Sequence, residues 1–190
     1  MQKGNVNLLL RTLLIAALAG VFSGARPGGG ENMPASQRIA GDKLGWLSVE
    51  QAAGKLSQTQ RPVLIDLYTT WCGWCKRMDK TTYSNKRVIQ YLNDKFYPVR
   101  VDAESKEDIS WNGRTYHFDA GNKVNEFAIY IAHGQMEFPT TIIIPPGGEP
   151  MPIPGYMEPK QLELIVKYFG EGQYGKIPFE EFQKGFKGEW

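Results

Sequence analysis

From Leu47 onward, short β-prone apolar runs alternate with segments whose apolar residues recur at helical spacing. Ser48 and Gln51 fit a capping box, and Val49, Ala52, Ala53 and Leu56 fall at i, i+3, i+4 and i+7, which predicts a short amphipathic helix ending near Ser57. The run Pro62 to Tyr68 is aliphatic and β-branched and reads as a strand. A helix-compatible segment follows at Gly73 to Lys80. Ser84 is placed to cap a second helix with Val88, Ile89, Tyr91 and Leu92 on its apolar face, and Tyr97 to Asp102 reads as a strand that tolerates Pro98 near its start.

Beyond Asp102 the pattern is less regular. Ile109 to Tyr116 predicts a hairpin, because Asn112-Gly113 lies between β-prone residues. Asn122 to about Ala132 has Val124, Phe127, Ala128 and Ile131 at helical spacing, and Phe138 to Ile144 is a buried strand opening on an X-Pro bond. Pro145 to Gly148 turns the chain, Met151 to Tyr156 suits an edge strand, and Pro159 to Phe169 suits a helix with proline at its start and Gly170 at its end. Strands alternating with helices imply an α/β architecture, a central mixed sheet flanked by helices. The tail from Glu171 to Trp190 keeps Tyr174, Ile177, Phe179, Phe182 and Phe186, so it is expected to dock on the domain.

The first 41 residues break this pattern. Lys3 and Arg11 precede an apolar run, Thr12 to Phe22, and Ser23-Gly24-Ala25 supplies small residues at cleavage spacing, so residues 1–25 read as an export signal peptide. The run is shorter than the roughly 20 residues of a membrane-spanning helix, which leaves an uncleaved anchor as the lesser alternative, and no stable membrane insertion is expected after cleavage. Residues 26–41 are rich in Gly, Pro, Ser and Asn and read as a flexible tether, leaving 42–190 as the folded domain, with the hairpin near 109–116 inserted and 171–190 as an extension. The 22 Lys and Arg exceed the 20 Asp and Glu by two, and Lys3 and Arg11 account for that excess. A neutral mature chain without a basic cluster gives no reason to invoke nucleic acid or anionic lipid. It is expected to work in the periplasm or another extracytoplasmic space, and as a monomer, since no dimerisation module is visible.

The only two cysteines lie in Trp71-Cys72-Gly73-Trp74-Cys75-Lys76, at the junction of strand and helix. Two thiols at this spacing can close and reopen a small disulfide ring and carry two electrons. Cys72 falls at the helix N-terminus, where unpaired amides and the helix dipole favour a thiolate and lower its pKa from roughly 8.5 to between about 3.5 and 7.5. Cys72 is therefore the expected nucleophile, and Cys75, one turn on and less exposed, the resolving thiol. A zinc site fits poorly, because closed structural zinc takes four nitrogen or sulfur ligands and the chain offers only the distant His117 and His133 besides the two thiols. A structural staple also fits poorly, since so small a ring constrains few residues. A Cu(I)-binding or client-holding role, with Met78 nearby, is a further alternative. No cofactor or metal is required by the exchange reading.

Taken together, Asp66-Leu67-Tyr68-Thr69-Thr70-Trp71-Cys72-Gly73-Trp74-Cys75-Lys76 and Phe138-Pro139-Thr140 resemble the thioredoxin superfamily. The wording around Val63 to Met78 is similar to exported thioredoxin-like proteins and to the soluble thioredoxin-like domain of bacterial thiol:disulfide interchange proteins, and the likeness covers about Leu47 to Phe169. The resemblance implies a thioredoxin-like fold and a protein-disulfide oxidoreductase acting on disulfide-containing client proteins, with a membrane thiol reductase as electron donor. It implies that Asp66 is a buried acid accepting the proton of Cys75, and that Pro139 is the cis-proline beside the disulfide. Phe138, Trp71, Gly73, Trp74 and Gly155 would line the client site. Two departures stand out: Trp74 replaces the proline common in thioredoxin, and the lysine often found near the buried acid has no counterpart in Pro98-Val99-Arg100. Reduction is the expected direction, with thiol oxidation or isomerisation as alternatives on the same fold.

Overall fold

The computed structural model describes residues 42–190, so the expected leader and tether lie outside the described residues. In chain order the elements are α1 (Val49–Leu56), β1 (Val63–Tyr68), α2 (Gly73–Thr81), α3 (Lys86–Lys95) and β2 (Tyr97–Asp102), then β3 (Ile109–Trp111), β4 (Arg114–Tyr116), β5 (Phe118–Asp119) and β6 (Val124–Asn125). They close with α4 (Glu126–Ile131), β7 (Thr140–Ile144), β8 (Met151–Pro154), α5 (Pro159–Gly170) and α6 (Phe179–Gly185). The main sheet has the order β2-β1-β7-β8. β1 runs parallel to β2 with Val63 opposite Tyr97 and Asp66 opposite Arg100, whereas β7 is antiparallel to both β1 and β8. This is the mixed sheet with flanking helices of the thioredoxin-like fold.

The uninterrupted apolar run of β1 arises because both of its faces are covered. Side chains alternate across a strand, so Val63, Ile65 and Leu67 join one core with Ala52 of α1 and Phe127, Ala128 and Ile131 of α4, while Leu64 faces a second core with Met78, Val88, Leu92, Leu162 and Val166. β7 divides likewise, with Ile142 and Ile144 on the first side and Ile143 on the second. Asp66 shares the parity of Leu64 and so lies on the face covered by α2, α3 and α5.

Two helix starts differ from the expectation. α3 is capped by Asn85, whose Oδ1 accepts from the N–H groups of Arg87 at 2.9 Å and Val88 at 3.3 Å, while the Ser84 hydroxyl turns back to the Lys80 carbonyl. The longer reach of the asparagine oxygen satisfies two orphan amides at once. α4 begins only at Glu126, because Val124 and Asn125 pair with β5 and the Asn125 side chain caps the helix by accepting from Phe127 N–H at 2.9 Å.

The tail lies against the second core through Ile177, Phe179, Phe182 and Trp190. Its end is held by Glu163, a fully buried residue whose carboxylate accepts from the backbone N–H groups of Glu189 at 2.9 Å and Trp190 at 3.0 Å and pairs with Lys167 at 3.2 Å. Among the described residues no helix is long and apolar enough to cross a membrane.

Candidate active site

The sharp passage from β1 into α2 places Cys72 at the N-cap of α2. Its N–H donates to the Thr69 carbonyl at 3.2 Å, and its sulfur accepts from the Cys75 N–H at 3.0 Å. Cys72 and Cys75 form a disulfide, so the site is described in its oxidised state. The amide that reaches the Cys72 sulfur is one of the orphan donors of the first helical turn, and it is placed to stabilise a thiolate once the bond opens. The two cysteines are buried alike, at 4% and 3% exposure, so the expected lower exposure of Cys75 is not a feature of the disulfide form.

Below α2 lies Asp66, buried at the centre of β1. Burial pushes its carboxyl up to about 7, against the opposing pull of Arg100, while the nearby charge of Asp79 raises it further. Arg100 Nε lies 3.1 Å from Asp66 Oδ2, and Arg100 Nη2 lies 3.0 Å from Asp79 Oδ2. The guanidinium also sits over the rings of Tyr68 at 4.4 Å and Trp46 at 5.5 Å from their centroids. The cation beside the buried acid is thus present as arginine, which corrects the expectation that this strand lacks a counterpart to the family lysine. Because Cys75 and Asp79 are one turn apart on α2, the Asp66–Arg100–Asp79 bridge ties the buried acid to the helix face that carries Cys75.

Sequence reasoning missed Arg100 and Asp79, although a signal exists. Asp66 and Arg100 are each the fourth residue of adjacent strands that pair in parallel without a shift.

The remaining candidates surround the disulfide turn. Trp71 is 63% exposed, donates from Nε1 to Glu104 Oε1 at 3.0 Å, and meets Phe138 edge-on at 6.0 Å between ring centroids. Trp74 is 58% exposed and lies 5.5 Å from the Tyr156 ring. The Phe138–Pro139 peptide bond is cis, and Gly155 N–H donates to the Pro139 carbonyl at 2.8 Å. Gly155 has φ +101°, a conformation that L side chains rarely adopt. Through the two aromatic contacts, the Phe138–Pro139 and Gly155–Tyr156 segments flank the Cys72–Cys75 turn, with Gly73 exposed between the two tryptophans. Among the described residues no group of three or more His, Cys, Asp or Glu is placed to hold a metal ion.

Comparison with known proteins agrees with this geometry. Residues 49–170 match the family described as thioredoxin-like domain. A thioredoxin from Borreliella burgdorferi is 30% identical over 109 residues, covering 57% of this chain and 74% of that protein. The thiol:disulfide interchange protein DsbD of Campylobacter jejuni is 33% identical over 61 residues, which cover 32% of this chain and 11% of that much longer protein. The chain also spans 11% of the length of an uncharacterised Caenorhabditis elegans relative. Two solved structures share the fold at 18% identity. A DsbH oxidoreductase has a TM-score of 0.51 over 75% of this chain and 95% of its own, and a thioredoxin-fold protein from Helicobacter pylori has 0.53 over 78% and 90%. The match over most of the folded region, with the paired cysteines at the head of α2, shows that this chain belongs to the thioredoxin-like domain family.

Proposed function

We propose that this protein reduces disulfides of extracytoplasmic client proteins, with Cys72 as nucleophile, Cys75 as resolving thiol and Asp66 as proton acceptor. The observation that carries the reading is the Cys72 sulfur at the head of α2, held by the Cys75 amide at 3.0 Å above a buried carboxyl poised near neutrality. In the reduced protein the Cys72 thiolate attacks one sulfur of a client disulfide, forming a Cys72–client bond while the other client sulfur leaves and takes a proton. Cys75 then loses its proton to Asp66, directly or through water, and attacks the Cys72 sulfur. The second client sulfur departs as a thiol, and the client has gained two electrons and two protons. The Cys72–Cys75 disulfide that remains must be reopened by a donor, for which a membrane thiol reductase is the fitting class.

Trp71, Gly73, Trp74, Phe138, Pro139 and Gly155 line the path of the client in this reading. An extended client strand fits beside Pro139, where its backbone can pair with that of the protein and its side chains can rest on the exposed tryptophans. Residues 1–25 act as the export signal and 26–41 as a tether. Expressed with its own N-terminus, the protein is expected in the periplasmic fraction, and retention in the cytosol would count against that placement.

Insulin reduction with dithiothreitol as donor tests the chemistry. Cys72→Ser is expected to abolish turnover, and Cys75→Ser to accumulate a mixed disulfide on Cys72 that mass spectrometry detects. Activity that survives in Cys72→Ser, or that requires an added metal ion, would overturn the reading.

A further inference from the structure

We infer that the outer face of α2 docks acidic client segments, namely polypeptides carrying Asp or Glu about two to four residues from the cysteine under attack. The inference rests on the proposal that Cys72 attacks client disulfides, and it adds a substrate class to it.

A groove of about 660 Å³ runs along α2 immediately beyond the disulfide, lined by Gly73, Trp74, Lys76, Arg77, Lys80 and Thr81. Apart from Trp74, these positions recur at i, i+3, i+4, i+7 and i+8, so they form one face of the helix, and all are exposed. Lys76, Arg77 and Lys80 make no ion pair among the described residues, whereas Asp79, the one acid of α2, faces inward to Arg100 at 3.0 Å. The helix thus directs its acid at the protein and three uncompensated cations at solvent.

The groove is also firmly built. Arg77 lies 5.6 Å from the Trp74 ring centroid and 5.8 Å from that of Tyr156, and the Tyr156 hydroxyl lies 3.0 Å from that of Thr81. An arginine braced by two rings, with no carboxylate partner, presents a fork suited to bidentate carboxylate binding. On the opposite flank of the disulfide, the Trp71 indole is bonded to an acid, Glu104. The site is therefore charge-polarised, and a client strand crossing it is oriented by the sign of its flanks.

The reach follows from helix geometry. At 1.5 Å per residue, Lys76 and Lys80 lie roughly 6 and 12 Å along the axis from Cys72. An extended client at about 3.3 Å per residue spans that range within roughly two to four residues.

The test uses three peptides with one common disulfide, flanked at those positions by Glu, Gln or Lys, mixed with the pre-reduced protein and followed by thiol trapping. Expected is reduction of the Glu peptide about tenfold faster than the Gln peptide at about 20 mM salt, with the Lys peptide slowest and the spread collapsing at about 0.5 M. The Lys76→Glu/Lys80→Glu double variant is expected to invert the order, with the Gln peptide reporting its intrinsic thiol chemistry. Should that variant fail to fold, the wild-type order and its salt dependence decide alone. Equal wild-type rates for the three peptides overturn this inference while leaving client reduction standing. If the protein then co-sediments with phosphatidylglycerol vesicles, the face belongs to a lipid surface instead. No reduction of any peptide overturns client reduction and this inference together.

Discussion

Asp66 is governed by two opposed environments, the apolar interior that disfavours its charge and the Arg100 guanidinium that favours it, and burial prevails. Its folded pKa, about 7, lies above the ordinary value of 3.8, so the folded protein holds this proton more tightly than the unfolded chain. The stability that follows is complete below about pH 4 and is lost as pH rises toward about 7, by at most about 4 kcal/mol at 1.36 kcal/mol per pKa unit. Asp66→Asn is expected to remove that slope and to unfold at higher urea than the wild type above pH 7, while resolving the mixed disulfide about 100-fold more slowly. An unchanged pH slope in this variant would contradict the account. The acid itself was legible through the family resemblance, six residues before Cys72 and within an otherwise apolar run. Its partners were not, because Arg100 comes opposite Asp66 only when β1 and β2 pair, and Asp79 meets Arg100 only after α2 folds over the sheet.

At the scale of elements, α2 unites the N-terminal turn that holds Cys72, the inner face that carries Cys75 and Met78, and the outer basic face. The four strands of the main sheet, the 109–116 hairpin and most helices could be read from period and capping, as with Ser48 and Gln51, whose reciprocal bonds close the box at 3.2 and 2.9 Å. Boundaries failed where a side chain competed for the cap, as Asn85 displaced Ser84, and where a two-residue strand, Val124–Asn125, used residues that also fit a helical period. The packing of α5 against α3 was invisible to pattern. A Cβ on Gly170 would lie 2.7 Å from the Tyr91 hydroxyl oxygen and 3.0 Å from the ring of buried Phe96. Gly170→Ala gains roughly 1 kcal/mol of helix propensity but strains the contact by about 1–3 kcal/mol. A net loss of about 1 kcal/mol is expected, read as a lower urea midpoint at unchanged slope, and a raised midpoint would show that Tyr91 and Phe96 yield freely.

Across the whole molecule, the alternation of strands and helices sufficed for the fold class, and the cysteine spacing for the locus of chemistry. Strand order, the divided core and the approach of Phe138–Pro139 and Gly155–Tyr156 to the disulfide depend on contacts between residues far apart in the chain, which periodicity does not encode. The balance of charge around the pair bears on the direction of electron flow. The α2 amides and Lys76 favour thiolates, whereas an ionised Asp66 disfavours them and so favours the disulfide. The Trp-Cys-Gly-x-Cys-Lys wording, which resembles reducing members of the family, sets the expected direction as donation to clients. Equilibrating the Cys72/Cys75 pair in dithiothreitol or glutathione buffers and trapping free thiols measures this directly. A potential near about −230 mV or below is predicted for a client reductase, whereas one near about −120 mV would make the protein an oxidant and contradict the proposed direction.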